Sequence, residues 1–263
     1  MPTDIALIED HLRDLGRYQL EGYRRIQEAA IQVKDTQSYG KSVVTEYDIE
    51  SERRVSRFIE EHFPGDSFLG EEHGNVKRNP DRYWVLDPID GTTNFTQSVA
   101  YWGPTLALLE NGALKAGWIY LPALGQMFHA RRGEGATLNG QRLHSSTVTE
   151  YSDLCTVATT SRLHRYFRLT VPAKHRILGS LVVNLAYIAT GTFVASFCRA
   201  HVWDIAAGIL IAREAGAIVE ASPDIEAMDL PSLDLKKGPS ITVYARANRD
   251  LPSLENYLVP VGA

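Results

Sequence analysis

The stretch that decides the fold reads YWVLDPIDGTTNF and occupies residues 83–95. Its first four residues are apolar and typical of a buried strand, and Asp87 and Asp90 follow directly. Pro88 has no N–H and cannot continue the hydrogen bonding of a strand, so we predict that the strand stops at the acids. Gly91 and the polar residues after it predict a turn into a short helix, whose N-terminal N–H groups favour a bound anion.

Two aspartates close together repel each other unless a cation lies between them. A divalent metal removes that conflict and bridges the acids to a phosphate. In a simpler interpretation, Asp90 is a helix N-cap and Asp87 is a solvated residue at a strand end. Two other acids favour the metal, because Glu71 follows a second short apolar segment and Asp204 lies at the start of an apolar helix. Together these acids suggest a cage of oxygen ligands of the kind that Mg²⁺ uses.

Four motifs follow one another along the chain. They are GEE at residues 70–72, WVLDPIDGTTNF at residues 84–95, the stretch from Arg176 through Gly179 and Ser180 to Gly191, and WDIAAG at residues 203–208. In this order they resemble the inositol monophosphatase-like phosphatases, a family of magnesium-dependent, lithium-sensitive phosphomonoesterases. The resemblance covers most of the chain. It implies a layered αβαβα sandwich of the sugar phosphatase type, with two subdomains and the active site between them, and a homodimer.

The resemblance also implies a ligand set for two or three Mg²⁺ ions. One ion would be held by Glu71, Asp87 and the backbone carbonyl of Ile89. A second would be held by Asp87, Asp90 and Asp204. A third and weaker ion in this family lies near the residue matched by Glu71, where it is approached by an acid of a mobile loop, matched here by Asp48.

The same resemblance assigns catalytic and substrate-binding roles. Thr92, paired with Asp48, would orient the attacking water, and Glu71 and Asp87 complete the catalytic set. Backbone N–H groups of Gly91 and Thr92 would hold the phosphate. The residues expected to bind substrate or phosphate are Asp90, Gly91, Thr92, Gly179, Ser180, Leu181 and Asp204.

The identity of the substrate depends on one departure from the family pattern. Inositol-specific members place an acid a few residues before the Trp-Asp motif, and that acid contacts a sugar hydroxyl; this chain has Phe197 there. A phenyl ring cannot accept a hydrogen bond. We expect a small phosphorylated polyol or sugar resembling inositol monophosphate, while histidinol phosphate, fructose bisphosphate and 3′-phosphoadenosine nucleotides stay open as substrates. A non-catalytic module that binds metal and phosphate is the alternative from another class of protein.

A second anionic group on the substrate would need a cation in the site. Arg199 is one candidate, and the cluster of Arg162, His164 and Arg165 is another. A solvated basic face is the more common role for such residues.

Composition limits the partners. A net charge of −5 argues against a nucleic-acid partner, because proteins that bind the phosphate backbone usually carry a basic domain. Cys155 and Cys198 form no disulfide framework, which is typical of a reducing compartment. The N-terminus lacks the pattern of a secretion signal, so we expect a cytoplasmic protein. Residues 177–198 carry no charge, yet polar residues interrupt them, and we predict a buried helix and a core strand rather than a membrane span.

Apolar periodicity and turn residues divide the chain near residue 146. Residues 1–146 are predicted to form an α+β subdomain that carries most of the metal ligands, and residues 147–263 an α/β subdomain with the Trp-Asp motif and the substrate-side residues. The predicted helices are residues 4–33 (one helix or two), 49–62, 180–189 and 204–214, with a loop at residues 35–41 that suits a mobile flap. The predicted strands are residues 105–109 and 113–120, joined by a hairpin at Asn111-Gly112, and residues 126–130, 155–159, 193–197, 217–219 and 241–245.

Overall fold

The computed structural model describes residues 4–26, 31–36, 40–230 and 240–262. In the first part of the chain the elements are α1 (Ile5–Arg24), β1 (Ile31–Thr36), β2 (Gly40–Thr45), α2 (Glu46–His62), β3 (Asp66–Gly70), β4 (Gly74–Val76), β5 (Asn79–Asp90), α3 (Thr92–Thr96), β6 (Gly103–Glu110), β7 (Ala113–Leu121), β8 (Gln126–Arg131), β9 (Gly135–Leu138) and β10 (Gln141–Arg142). Strands β3 to β10 form an eight-stranded sheet in the order β10-β9-β8-β7-β6-β5-β3-β4. The hairpin predicted at Asn111-Gly112 is confirmed, since β6 and β7 pair antiparallel on either side of it.

Helices α1 and α2 cover one face of the eight-stranded sheet. Ile8 and Leu12 of α1 and Val55 and Ile59 of α2 are buried in one cluster with Trp84 of β5. Full burial of an aliphatic side chain stabilises a fold by about 1.5–3 kcal/mol. The spacing of these apolar residues therefore holds both helices on the sheet.

The N-terminal helix is shorter than predicted. α1 ends at Arg24, and residues 31–36 form strand β1, which pairs antiparallel with β2. The prediction of helix up to residue 33 was wrong, because a few apolar residues such as Ile31 and Val33 suit a short strand as well as a helix, and pairing with β2 decides between them. The loop predicted at residues 35–41 overlaps the ends of these two strands, and its residues 37–39 lie outside the described residues.

Strand β5 ends at the second acid, Asp90, but Pro88 does not interrupt it, contrary to the reason given for the prediction. Its pairing with β6 shifts between Asp87, opposite Thr105, and Asp90, opposite Gly103. One extra residue on the β5 side is a β-bulge, which bends the strand and tolerates Pro88 because no ladder hydrogen bond is needed there. The bulge turns the two aspartates toward the end of the sheet.

In the second part of the chain the elements are β11 (Thr156–Thr159), β12 (Phe167–Leu169), β13 (Lys174–Arg176), α4 (Leu181–Ala189), β14 (Ala195–Ala200), α5 (Val202–Glu214), β15 (Ile218–Ser222), β16 (Ile241–Arg246) and β17 (Leu258–Pro260). A five-stranded sheet has the order β13-β11-β14-β16-β15. Strand β11 is parallel to both β13 and β14, whereas β16 is antiparallel to its two neighbours. The carboxyl ends of three parallel strands therefore meet at one edge, where ligands commonly bind in α/β sheets.

Helices α4 and α5 lie between the two sheets. Their buried residues share one cluster with residues of both sheets, such as Ile119 of β7 and Val243 of β16. At Gly117 of β7 an added Cβ would lie 3.0 Å from the Cα of Ala207, so the glycine permits close contact between helix and sheet. The buried helix predicted at residues 180–189 is confirmed as α4. No helix in the described parts of the chain is long and apolar enough to cross a membrane.

The outer face of the five-stranded sheet is covered by short 3-10 turns and by the antiparallel pair β12–β17. Leu163, Leu251 and Leu254 pack there against Val157 and Phe197 of the sheet. Helix and sheet layers thus alternate through the molecule, and the predicted layered fold of mixed α and β elements is confirmed.

Candidate active site

Three carboxylates meet at the ends of three different elements. Glu71 follows β3, Asp87 lies at the bulge of β5, and Asp204 is in the first turn of α5. Each offers one carboxylate oxygen, and these oxygens all lie within 4.8 Å of one another. Hard oxygen donors at this spacing suit a divalent cation, and the three acids repel one another without it. The cluster can therefore hold a metal ion.

The pKa values of these acids reflect the same repulsion between neighbouring negative charges. Burial, reinforced by the negative charges of Glu71 and Asp90, raises the pKa of Asp87 well above its ordinary value. Burial and then the charge of Asp90 raise the pKa of Asp204 to about 8, although the His201 N–H donates to Asp204 Oδ2 at 2.7 Å. In the metal-free protein, protons compete for the positions that a cation would neutralise.

Asp90 is oriented differently from the other three acids. Its Oδ2 atom accepts from the Ser180 hydroxyl and from the Val182 N–H (3.2 Å), at the N-terminus of α4. Burial raises the pKa of Asp90 to about 6. Asp90 thus joins the bulge of the first sheet to a helix from the second half of the chain.

Glycines allow the chain to pass closely around this point. Gly91 has a φ of 87°, and an added Cβ would lie 2.7 Å from the Tyr101 carbonyl oxygen. Gly179 has a φ of 78°, and its Cβ would lie 2.8 Å from the side-chain oxygen of Asn94. The Asn94 side-chain N–H donates to the carbonyl oxygens of Tyr101 and Leu178, both at 2.7 Å. These bonds join α3 to the segments that precede β6 and α4.

Thr92 and Asp48 are in direct contact, although 44 residues separate them. The Thr92 hydroxyl lies 3.0 Å from Asp48 Oδ1 and 3.0 Å from the Ile89 carbonyl oxygen. The other carboxylate oxygen of Asp48 accepts from the N–H (2.7 Å) and hydroxyl (2.6 Å) of Thr45, the N-cap of α2. Burial raises the pKa of Asp48 to about 6. The threonine hydroxyl is thereby held beside the acid cluster.

Sequence reasoning missed a buried carboxylate, Glu52, which is 1% exposed. Its two oxygens accept from the backbone N–H groups of Glu72 and His73, each at 2.7 Å, in the turn that begins at Glu71. Gly70 makes room for it, because an added Cβ would lie 2.3 Å from the Glu52 carboxyl carbon. Glu52 is four residues after Asp48 and on the same face of α2, and that spacing is the signal that could have identified it.

Gln19 of α1 was missed in the same way. It is fully buried, and its Nε2 donates to the carbonyl oxygen of Pro88 (2.9 Å) and to the Ser51 hydroxyl (3.0 Å). Both helices of the first layer therefore support the segments that carry the acids.

The acids open onto a cleft with a volume of about 300 Å³. All of the sequence-predicted site residues line it except Asp48, which reaches it through Thr92. Of the basic candidates, Arg162 and Arg199 line the cleft, whereas His164 and Arg165 do not. Asn184 of α4 also lines it, is 1% exposed, and has neither side-chain polar atom paired within the described residues. A buried amide of this kind indicates a cleft that receives a polar ligand.

The site combines an acid cluster, a paired threonine and helix N-termini within a layered sandwich. Together these are the parts of a metal-dependent phosphatase site. The chain belongs to the inositol monophosphatase family, whose model matches residues 12–237.

Individual relatives agree with this assignment. The chain is 36% identical over 188 residues to a Thermotoga maritima protein named fructose-1,6-bisphosphatase/inositol-1-monophosphatase, covering 68% of this chain and 71% of that protein. It is 34% identical over 222 residues to the Nus factor SuhB of Pasteurella multocida, covering 79% and 80%. A solved IMPase structure from Thermotoga maritima matches with a TM-score of 0.73 at 28% identity, over 90% of this chain and 89% of that one. The extragenic suppressor protein suhB of Bartonella henselae matches with a TM-score of 0.79 over 94% of both chains, and at 24% identity it shows the fold alone.

Proposed function

We propose that this protein is a Mg²⁺-dependent phosphomonoesterase that hydrolyses a small phosphorylated polyol or sugar. The observation that supports this most strongly is the meeting of Glu71, Asp87 and Asp204 within 4.8 Å, beside the paired Thr92 and Asp48. The pair favours catalysis over binding alone, because a threonine hydroxyl held against a carboxylate can orient a water for attack.

The ligand assignments are those that the resemblance to the family implies. Glu71, Asp87 and the Ile89 carbonyl would hold one ion, and Asp87, Asp90 and Asp204 a second, with a weaker third ion near Glu71. Bound Mg²⁺ would lower the pKa of a coordinated water and neutralise charge on the phosphoryl oxygens.

The chain's own groups would then position the reactants. The Thr92 hydroxyl, which donates to Asp48 or to the Ile89 carbonyl, would accept a hydrogen bond from the attacking water and orient it. The backbone N–H groups of Gly91 and Thr92 would bind the phosphate. Gly179, Ser180 and Leu181, at the start of α4 and beside Asp90, would contact the substrate.

Relatives and resemblance support the remaining assignments. The Thermotoga maritima relative is named for fructose-1,6-bisphosphatase and inositol-1-monophosphatase activities, and this supports a phosphorylated sugar or polyol. Histidinol phosphate and 3′-phosphoadenosine nucleotides are the other candidate substrates. We also propose a cytoplasmic, lithium-sensitive homodimer without a nucleic-acid partner, and the two free, buried cysteines are consistent with a reducing compartment.

A second candidate function is a binding role without catalysis. Several relatives are named Nus factor SuhB, which is not the name of a phosphatase. The two functions are distinguished by phosphate release from inositol monophosphate, glycerol phosphate, histidinol phosphate, fructose bisphosphate and adenosine 3′,5′-bisphosphate, each with Mg²⁺ and with EDTA. Release that requires Mg²⁺ supports the phosphatase. Absence of release from the whole panel contradicts it and favours the binding role.

A further inference from the structure

Charge is segregated within the cleft. Among the described residues that line it, the carboxylates are Glu71, Asp87, Asp90 and Asp204, all at the end formed by β3, β5 and α5. The described lining residues from the loop after β11 and from β14 form a second group, which has no carboxylate. It carries two guanidinium groups, those of Arg162 and Arg199.

The position of Arg199 follows from the topology. It lies near the carboxyl end of β14, two residues after Phe197 and therefore on the same face of the strand. β11 is parallel to β14 and ends at the same edge, with Thr159 opposite Phe197, so the loop that carries Arg162 leaves the sheet beside this face. The Arg199 side chain is exposed, and its guanidinium makes no ion pair or hydrogen bond within the described residues.

The lining beside the two arginines in the sequence is aromatic. Phe197 is 3% exposed, with its ring centroid 6.0 Å from that of Phe167 and 5.1 Å from that of Tyr244. These contacts hold the ring in the lining of the cleft, where it offers apolar surface and no hydrogen-bond acceptor. Tyr166 and Phe167 continue the aromatic lining of the cleft.

We propose that the alcohol half of the substrate carries a second anionic group, bound by Arg199 together with Arg162, with a ring or apolar spacer against Phe197. This inference rests on the proposed phosphomonoesterase function. It narrows the substrate from an ester whose alcohol half is uncharged to one whose alcohol half carries a second anionic group. Guanidinium groups bind phosphate and carboxylate through paired, charge-assisted hydrogen bonds. One phosphate of the substrate thus binds at the acid cluster, and the second anion binds at Arg199 and Arg162.

The test uses two matched substrate pairs in the presence of Mg²⁺. Adenosine 3′,5′-bisphosphate is compared with adenosine 3′-phosphate, and fructose 1,6-bisphosphate with fructose 1-phosphate. Within each pair the ester is the same and only the second phosphate differs. The readout is the ratio of kcat/KM for the bisphosphate to kcat/KM for the monophosphate.

We expect a ratio of at least about tenfold in one pair, because a hydrogen bond to a charged group contributes at least this much binding. The adenosine pair reports a ring spacer and the fructose pair a sugar spacer. Arg199→Gln should lower the ratio about tenfold. Arg199→Lys should retain part of the wild-type ratio, because lysine keeps the positive charge but lacks the paired N–H donors of a guanidinium group. Arg165→Gln is the matched control, because this exposed arginine does not line the cleft, and its ratio should equal that of the wild type.

The outcomes distinguish failure of the second anion site from failure of the proposed phosphatase function. Hydrolysis of the monophosphates with a ratio near one in both pairs overturns the second anion site and leaves the phosphatase standing. A ratio that Arg199→Gln does not change, or that Arg165→Gln lowers equally, also overturns it. Failure to hydrolyse any of the four esters, with Mg²⁺-dependent release from inositol monophosphate, glycerol phosphate or histidinol phosphate, overturns the second anion site alone. Absence of release from those three esters as well contradicts the proposed function.

Discussion

Glu52→Gln tests whether the first helical layer controls the metal site. Each Glu52 oxygen accepts one backbone N–H at 2.7 Å, from Glu72 and from His73. Glutamine keeps one acceptor oxygen and directs an NH₂ group at the other N–H, which loses its partner in a buried place. One unpaired buried donor costs about 1–3 kcal/mol. We therefore expect the free energy of unfolding to fall by about 2 kcal/mol.

The same change should weaken metal binding, because the disturbed turn begins at Glu71. Loss of a contact that supports a metal ligand typically costs 10- to 100-fold in metal affinity, and we expect the Mg²⁺ concentration for half-maximal activity to rise at least about tenfold. Excess Mg²⁺ should recover most of kcat. The assays are urea unfolding and phosphate release over a range of Mg²⁺ concentrations.

Glu50→Gln provides the control on the same helix. Its carboxylate pairs with Arg53 (2.7 Å) and Arg54 (2.8 Å) at the surface, and such pairs contribute about 0–1 kcal/mol. Its Mg²⁺ requirement should match that of the wild type. A folded Glu52→Gln variant with an unchanged Mg²⁺ requirement would refute the positioning role.

Three shorter predictions concern the site itself. Thr92→Val should lower kcat at least about 100-fold at saturating Mg²⁺, because it removes a group that positions the reactants for proton transfer. Thr93→Val, at an exposed neighbour, should not lower kcat in this way. Equal losses of kcat in the two variants would count against the role of Thr92. Stabilisation by Mg²⁺, measured as the unfolding free energy with Mg²⁺ minus that with EDTA, should be larger at pH 8 than at pH 5. Because the pKa values of Asp90 (about 6) and Asp204 (about 8) are raised, bound protons stabilise the metal-free fold at low pH, and this contribution is lost as the pH rises through those values. A larger stabilisation by Mg²⁺ at pH 5 than at pH 8 would contradict this prediction. Asp90→Asn should remove Mg²⁺-dependent turnover. It should change the unfolding free energy by less than about 1.5 kcal/mol, because asparagine still offers an oxygen to Ser180 and Val182. Full activity in this variant would contradict the assignment of Asp90 as a metal ligand.

Much of the fold could be predicted because local patterns agree with tertiary packing. Asn111-Gly112 between apolar runs strongly favours a hairpin, and the uncharged segment after Ser180 favours a buried helix and a core strand. The extent of α1 and the bulge at Pro88 could not be predicted. They depend on the pairing of β1 with β2 and of β5 with β6, which the apolar spacing within one segment does not show.

The site shows the same division. Glu71, Asp87 and Asp204 lie beside turn or helix-start signals, and such acids can be picked out one by one. Their mutual distances, and the burial of Glu52 against the turn after Gly70, depend on how α2 lies on the sheet. Likewise, the sequence does not distinguish Arg162, His164, Arg165 and Arg199. Only the folded structure shows that Arg162 and Arg199 line the cleft.

The most direct test of the central claim is an anomalous difference map from crystals grown with Mn²⁺, which takes the oxygen ligands that Mg²⁺ takes. We expect a peak within coordination distance of the carboxylates of Glu71, Asp87 and Asp204, absent from crystals of Asp87→Asn grown in the same way. A map without density at these carboxylates, from crystals of protein that is active with Mn²⁺, would contradict the assignment of this cluster as the metal site.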